Sequence, residues 1–312
     1  MGALLRRTLA LALAVGALLA TRSDVVVATQ PTPPAGAPQP VVISAGGDIT
    51  TAVEQYRELL GANNGGEPGS RGTGRREINW DGVADDLSAP NFMPPDFFNA
   101  PAAPRARGAF FSTPGEGVQV SADSDNPFEA AVRFGNINPT YTDIFRAFSE
   151  ERLFSPIGSN IVEMTFFVPG TNTPALTRGF GAVYTDVDTD HTSFEYFDRN
   201  GNLLAAVAVP IADNGLSFVG VAFDTPIVAR VRIAYGTVPL GPDDSPTTDV
   251  AVMDDFIYGE PVPFPDAAPP PPPAPTTPPA PPAPTAAPAP TAAPAPTAAP
   301  PPPSPMPFEP AY

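Results

Sequence analysis

Residues Ile227 to Tyr235 place Ile227, Ala229, Val231, Ile233 and Tyr235 in strict alternation with Val228, Arg230, Arg232 and Ala234. A period of two is the mark of a strand with one face packed and the other facing water, so the chain must supply a sheet and something to cover it. The same texture, in short runs between turns, marks candidate strands at 107–112, 117–122, 129–135, 161–168, 178–187, 192–198, 203–209, 216–223, 227–235 and 249–258. Asp198-Arg199-Asn200-Gly201-Asn202 separates two of them and carries the Asn-Gly pair that favours a hairpin turn. Leu216–Phe223 is apolar on both faces, as a central strand requires. Many short strands with regular turns predict an all-β fold, two antiparallel sheets packed face to face as a β-sandwich over 107–262.

One helix precedes the strands. From Asp48 to Leu60, Thr51 and Glu54 have the spacing of a capping box, Val53, Tyr56 and Leu60 share one apolar face, and Gly61 supplies a stop. The helix and an irregular stretch, 48–106, are expected to pack on the sandwich, and residues 29–47 read as a linker.

The two ends have different compositions. Arg6-Arg7, the apolar run Thr8–Ala20 and the small residues up to Val26-Val27-Ala28 give residues 1–28 the form of a secretory signal peptide, with Ala20 as the alternative cleavage position. That apolar run is shorter than the roughly 20 residues that span a bilayer, so no membrane span is expected. Residues 263–312 read as a disordered Pro/Ala/Thr-rich tail. There Ala-Pro-Thr-Ala-Ala-Pro stands three times in tandem (283–288, 289–294, 295–300), and proline removes the donors that sheets and helices need.

Charge and composition narrow the function. The 312 residues hold 33 Asp and Glu against 16 basic residues, every one an arginine, for a net charge of −17. That balance argues against nucleic acid and anionic membranes, which need clustered cations. The absence of cysteine removes disulfides, thiolate metal sites and cysteine nucleophiles, and the single His191 removes multi-histidine metal centres. A Gly-x-Ser-x-Gly elbow is missing, as is the Glu-x-Asp-x-Glu run of β-sandwich glucanases, so neither Glu163 nor Glu195 stands in a catalytic pattern and no enzyme is expected.

Two acidic runs suggest a hard cation. Asp186, Asp188 and Asp190 alternate in Thr185–His191, and carboxylates at i, i+2 and i+4 suit Ca²⁺, which takes six to eight oxygens. Asp254 and Asp255 interrupt Val250–Tyr258, where alternation would put Asp254 on the packing face in need of a cation, an arginine such as Arg133 or Arg178, or backbone N–H groups. A sugar-binding face is the second expectation: Trp80, the only tryptophan, with Phe92, Phe97 and Phe98 as a stacking platform and Asn79 and Asp81 as polar contacts.

The closing strand Met253-Asp254-Asp255-Phe256 resembles the last strand of secreted jelly-roll domains, including carbohydrate-binding modules, in which such an acid often ligates a structural calcium. Together with Gly74–Gly82, Phe134–Pro139 and Gly179–Val183, it resembles a group of secreted bacterial proteins across about 48–262. The resemblance implies export and an antiparallel jelly-roll-like β-sandwich, with no catalytic residues to carry over. The function expected is therefore a secreted, non-catalytic module that binds extracellular glycan or a cell-wall component, with a structural calcium; the alternative is a structural cell-envelope or matrix protein with no small ligand, and a secreted glycan hydrolase ranks behind both.

Overall fold

A computed structural model describes residues 38–265; the expected signal peptide and nearly all of the Pro-rich tail lie outside the described residues. In chain order the elements are β1 (Val41–Gly46), α1 (Thr50–Leu60), β2 (Arg75–Ile78), β3 (Ala109–Ser112), β4 (Gly117–Val120), α2 (Tyr141–Ile144), β5 (Phe154–Ile157), β6 (Ile161–Phe166) and β7 (Ala175–Leu176). They continue with β8 (Gly179–Val187), β9 (Ser193–Phe197), β10 (Leu203–Ala208), β11 (Ala212–Ala222), β12 (Arg230–Ala234), β13 (Val252–Gly259) and β14 (Val262–Pro263). The described residues are mostly β, with antiparallel sheets and two helices among them. One sheet runs β1-β11-β8-β13-β5-β4, with β2 also pairing β13; a second runs β10-β9-β12-β6-β3; β14 and β7 form a small ribbon.

The alternation in β12 does what its period dictates. Val231 and Ile233 are fully buried, while Arg230 pairs with Glu163 on β6 and covers the Phe197 ring at 4.0 Å. Facing aromatics join the sheets: Phe180 and Tyr184 of β8 lie 5.3 and 5.5 Å from Phe194 of β9. All of β8 is buried, because its other face is covered by α1. There Val53, Tyr56 and Leu60 pack on Val183, Phe218 and Ile257. Tyr56 needs glycine beneath it, since a Cβ at Gly220 would stand 2.6 Å from its ring; its hydroxyl donates to the Val221 carbonyl at 2.9 Å.

Several expectations change. The capping box does not form; Asp48 Oδ1 accepts from Thr50 N–H at 3.1 Å instead, while Gly61 ends the helix at a φ of 99° as expected. The linker 29–47 contains β1, an edge strand on β11 whose half-exposed, uncharged residues follow a proline run and give little alternation to read. Residues 129–135 are not a strand, because Glu129, Arg133 and Phe134 adopt φ of 53°, 51° and 61°, which no extended strand accommodates. Strands β2 and β5 go unseen in the sequence: one is short and charged, the other contains Pro156.

The irregular stretch after α1 is held by one buried ion pair. Arg76 Nε and Nη2 donate to Glu260 Oε2 and Oε1, each at 2.8 Å, and the remaining N–H groups reach the carbonyls of Gly65, Glu67, Gly69 and Ala106. Neither side chain has appreciable exposure. Removing one partner strands the other charge, so Glu260→Ala is expected to lower the unfolding free energy by about 3–5 kcal/mol. Glu195→Ala, which breaks only the exposed pair with Arg232 at 3.9 Å, should cost no more than about 1 kcal/mol. Urea unfolding of both variants checks the contrast.

Candidate metal centre

A cluster of carboxylates forms where three turns meet: the end of β8, the start of β11 and the connection from β12 to β13. The β8–β11 register shifts between the pairs Ala212↔Val187 and Leu216↔Thr185, so β11 bulges outward there. Asn214 within the bulge and Asp186 opposite it both adopt positive φ, 51° and 65°, a region that Asn and Asp enter more readily than other side-chain-bearing residues. This brings Asp213 beside Asp186. It also breaks the alternation expected of Asp186, Asp188 and Asp190. Asp190 turns out to solvent, its side chain 88% exposed, with the exposed His191 Nδ1 3.6 Å away.

Asp186, Asp188 and Asp213 each present an oxygen, all within 4.8 Å of one another. Two oxygens bound on opposite sides of Ca²⁺ at 2.3–2.6 Å would stand roughly 4.6–5.2 Å apart, so this spacing suits one shared ion. Asp186 is fully buried; its Oδ1 accepts from Asn214 N–H at 2.8 Å, while Oδ2 has no hydrogen-bond partner among the described residues. Asp188 Oδ1 is likewise buried and unpartnered. Burial, followed by the charges of Asp244, Asp188 and Asp213, raises the Asp186 carboxyl to about 7 against the Asn214 hydrogen bond. Asp188 rises to about 7 as well, through burial first and then Asp244 and Asp213. Asp244 is also raised, chiefly by burial.

The other acids expected to bind metal stand apart from this cluster. A register shift between Met253 and Phe256 bulges β13 and carries Asp254 and Asp255 off the face that holds Phe256 and Tyr258. Asp254 Oδ2 accepts from Phe148 N–H at 2.6 Å and Ser149 N–H at 3.1 Å. Asp255 Oδ1 accepts from the Ser149 hydroxyl at 2.7 Å, and its Oδ2 lies 3.4 Å from Arg57 Nη2. Of the partners weighed from the sequence for Asp254, backbone N–H groups are the ones it finds.

The sugar platform fails on burial. Trp80 is wholly enclosed, stacked on Phe154 at 4.2 Å with its edges against Phe98 and Phe256, and its Nε1 donates to the Asp254 carbonyl at 2.9 Å. Phe97 and Phe98 are buried too, leaving Phe92 as the exposed member of the set. Asn79 is exposed, whereas Asp81 lines an open cleft of about 370 Å³ with Asp123, Ser124, Asp125, Glu150, Glu151 and Arg152. Burial raises the Asp81 carboxyl despite the Arg152 N–H it accepts at 3.1 Å.

Sequence reasoning missed Asp213, Asp244 and Asp249. The signal was there in the turn-forming Asp213-Asn214-Gly215 and in Asp243-Asp244, but their distance along the chain from Asp186 hid the convergence. No protein-family model, curated protein or solved structure matches this chain.

Raised carboxyl groups give a signed prediction. A carboxyl held at about 7 in the folded state but near 3.8 when unfolded contributes stability that is present at low pH and lost as pH rises through about 7. With chelator, Tm should therefore fall between pH 5 and pH 8, and millimolar Ca²⁺ should restore it most strongly at pH 8. Scanning calorimetry across that range, with Asp186→Asn as the variant that flattens the profile, checks it.

Proposed function

We propose that this protein is a secreted, non-catalytic β-sandwich of jelly-roll type that holds a structural Ca²⁺ and serves as a structural component of the cell envelope or extracellular matrix. The carrying observation is Asp186: a fully buried carboxylate with one oxygen unpartnered, its ligand oxygen within 4.8 Å of those of Asp188 and Asp213. A hard divalent ion answers that arrangement, since it supplies charge and accepts several oxygens at once. The sandwich reading draws support from the apolar cluster that takes side chains from both large sheets. Export rests on the signal-like residues 1–28, and the net charge of −17 keeps nucleic acid out of the list of partners.

The structural role is favoured over glycan recognition because Trp80 presents no ring face to a sugar. Glycan binding retains one specific support, the Asp81 cleft, whose carboxylates can accept hydrogen bonds from sugar hydroxyls.

Three measurements on the protein recovered from its native cells separate these readings. N-terminal sequencing should find a start at Thr21 or Thr29, and fractionation should place the protein in the envelope or matrix. A glycan array in Ca²⁺ and in EGTA should show no binding in either buffer. Binding abolished by Asp81→Ala would replace the structural reading with the glycan one, and an unprocessed N-terminus in the cytoplasm would overturn both.

A further inference from the structure

Asp254 and Asp255 are both buried in the bulge of β13, and a single hydroxyl bridges them. Ser149 Oγ lies 2.7 Å from Asp255 Oδ1 and 3.2 Å from Asp254 Oδ1. A serine hydroxyl has one proton to give, and an ionised carboxylate has none. If that proton goes to the nearer Asp255, Asp254 Oδ1 faces the hydroxyl oxygen with no proton between them and no other donor among the described residues. The backbone N–H groups of Phe148 and Ser149, at 2.6 and 3.1 Å, serve the other oxygen, Oδ2. Asp254 is wholly buried, where an unmet oxygen is costly, so the arrangement calls for one more proton.

The surroundings decide which carboxyl carries it. Arg57 Nη2, from α1, lies 3.4 Å from Asp255 Oδ2. That arginine is shared with Glu54 on its own helix and with Glu77 on β2, and Glu77 also pairs with Arg75. The strands beside the bulge bring no charge to it: Val183 of β8 falls within the register shift, and Phe154 of β5 pairs with Met253. Tyr184, opposite Met253, sends its hydroxyl to the Ala234 carbonyl of the other sheet. Burial and then the Asp255 charge push the Asp254 carboxyl well above the ordinary range. At Asp255 the rise from burial is opposed by the Ser149 hydroxyl and by Arg57. The shorter contact is thus the hydroxyl bonding an ionised Asp255, and the longer one is Asp254 bonding the hydroxyl.

We propose that Asp254 and Asp255 hold one proton between them, on Asp254, and that this proton latches Phe148 and Ser149 onto β13. The proposal goes beyond the calcium reading and does not depend on it. Phe148 and Ser149 lead directly into Glu150, Glu151 and Arg152, which line the Asp81 cleft, so the latch holds one wall of that cleft. With the proton, Asp254, Ser149, Asp255 and Arg57 form one run of donors and acceptors. Without it, two buried like charges oppose each other across Ser149. The unfolded chain releases the proton in the ordinary carboxyl range, so the latch is firm at low pH and is lost as pH rises through the higher folded-state value.

The protein carries its own reporter: Trp80, the only tryptophan, donates from Nε1 to the Asp254 carbonyl at 2.9 Å. Its emission, followed against pH on the full chain, should show a transition above the ordinary carboxyl range. Asp254→Asn puts an amide N–H where the proton would be and should abolish the transition, whereas Asp186→Asn should leave it in place. At a pH above the transition, the Phe148 and Ser149 amides should exchange with deuterium faster in the unmodified chain than in Asp254→Asn. A flat profile in the unmodified chain, a transition that survives Asp254→Asn, or equal exchange at those two amides would overturn the proposal. Should Asp254→Asn fail to fold, Asp255→Asn decides. Removing the neighbouring charge should move the transition to lower pH, and an unmoved transition would overturn the assignment.

Discussion

Charges of one sign, withdrawn from water and brought together, need a charge of the other sign, and the corner where β8, β11 and the β12–β13 loop meet is governed by that need. Burial and mutual repulsion act in the same direction on Asp186 and Asp188, and both carboxyls rise to about 7 as a result. Between water and the protein interior, a group in that position has two remedies: it takes a proton, or it gains a cation. The first serves Asp186 and Asp188 only below about pH 7. The second works at any pH at which the cation is present, and it also satisfies the oxygens that no N–H or O–H reaches.

The same chain buries carboxylates elsewhere and deals with them differently. Glu260 is neutralised by Arg76, whose remaining donors are spent on backbone carbonyls, and Asn64 Nδ2 and Arg71 N–H also donate to it. Asp254 is held by backbone N–H groups of Phe148 and Ser149, the partners a bulged strand can reach. In both places local geometry supplies the missing positive charge or dipole. Asp186 receives a single N–H from Asn214, and the charges that act on it most strongly are other carboxylates. Set beside those two solutions, the β8–β11 corner leaves the Oδ2 of buried Asp186 without a hydrogen-bond partner among the described residues, and a cation from outside the chain is the partner proposed for it.

How much of this was legible in the sequence follows from the range of the interactions involved. The strand within 227–235, the Asn-Gly hairpin and the apolar face of the helix depend on periodicity or on a local turn; the hairpin and the helix face lie where the residues indicate, and the strand forms over its second half, Arg230–Ala234, while Val228 before it is buried rather than turned outward. Residues 129–135 look like a strand by composition but not by backbone, because three positive φ angles cannot be read from an alternation of apolar residues. Trp80 and Asp190 show the limit more clearly. Nothing local distinguishes a tryptophan that faces sugar from one stacked on Phe154, or an aspartate in the cluster from one two residues past it that points to solvent. The bulge at Asp213 decides the latter, and it is set by how β11 pairs with β8.

The most direct test of the account is a crystal structure of the protein grown with Ca²⁺ and again with Tb³⁺, phased to show anomalous scatterers. The account predicts one strong anomalous peak bounded by Asp186, Asp188 and Asp213, with six to eight oxygens around it. A structure at pH 8 in saturating calcium with no peak there, and with a water or a shared proton between those carboxylates, would contradict it.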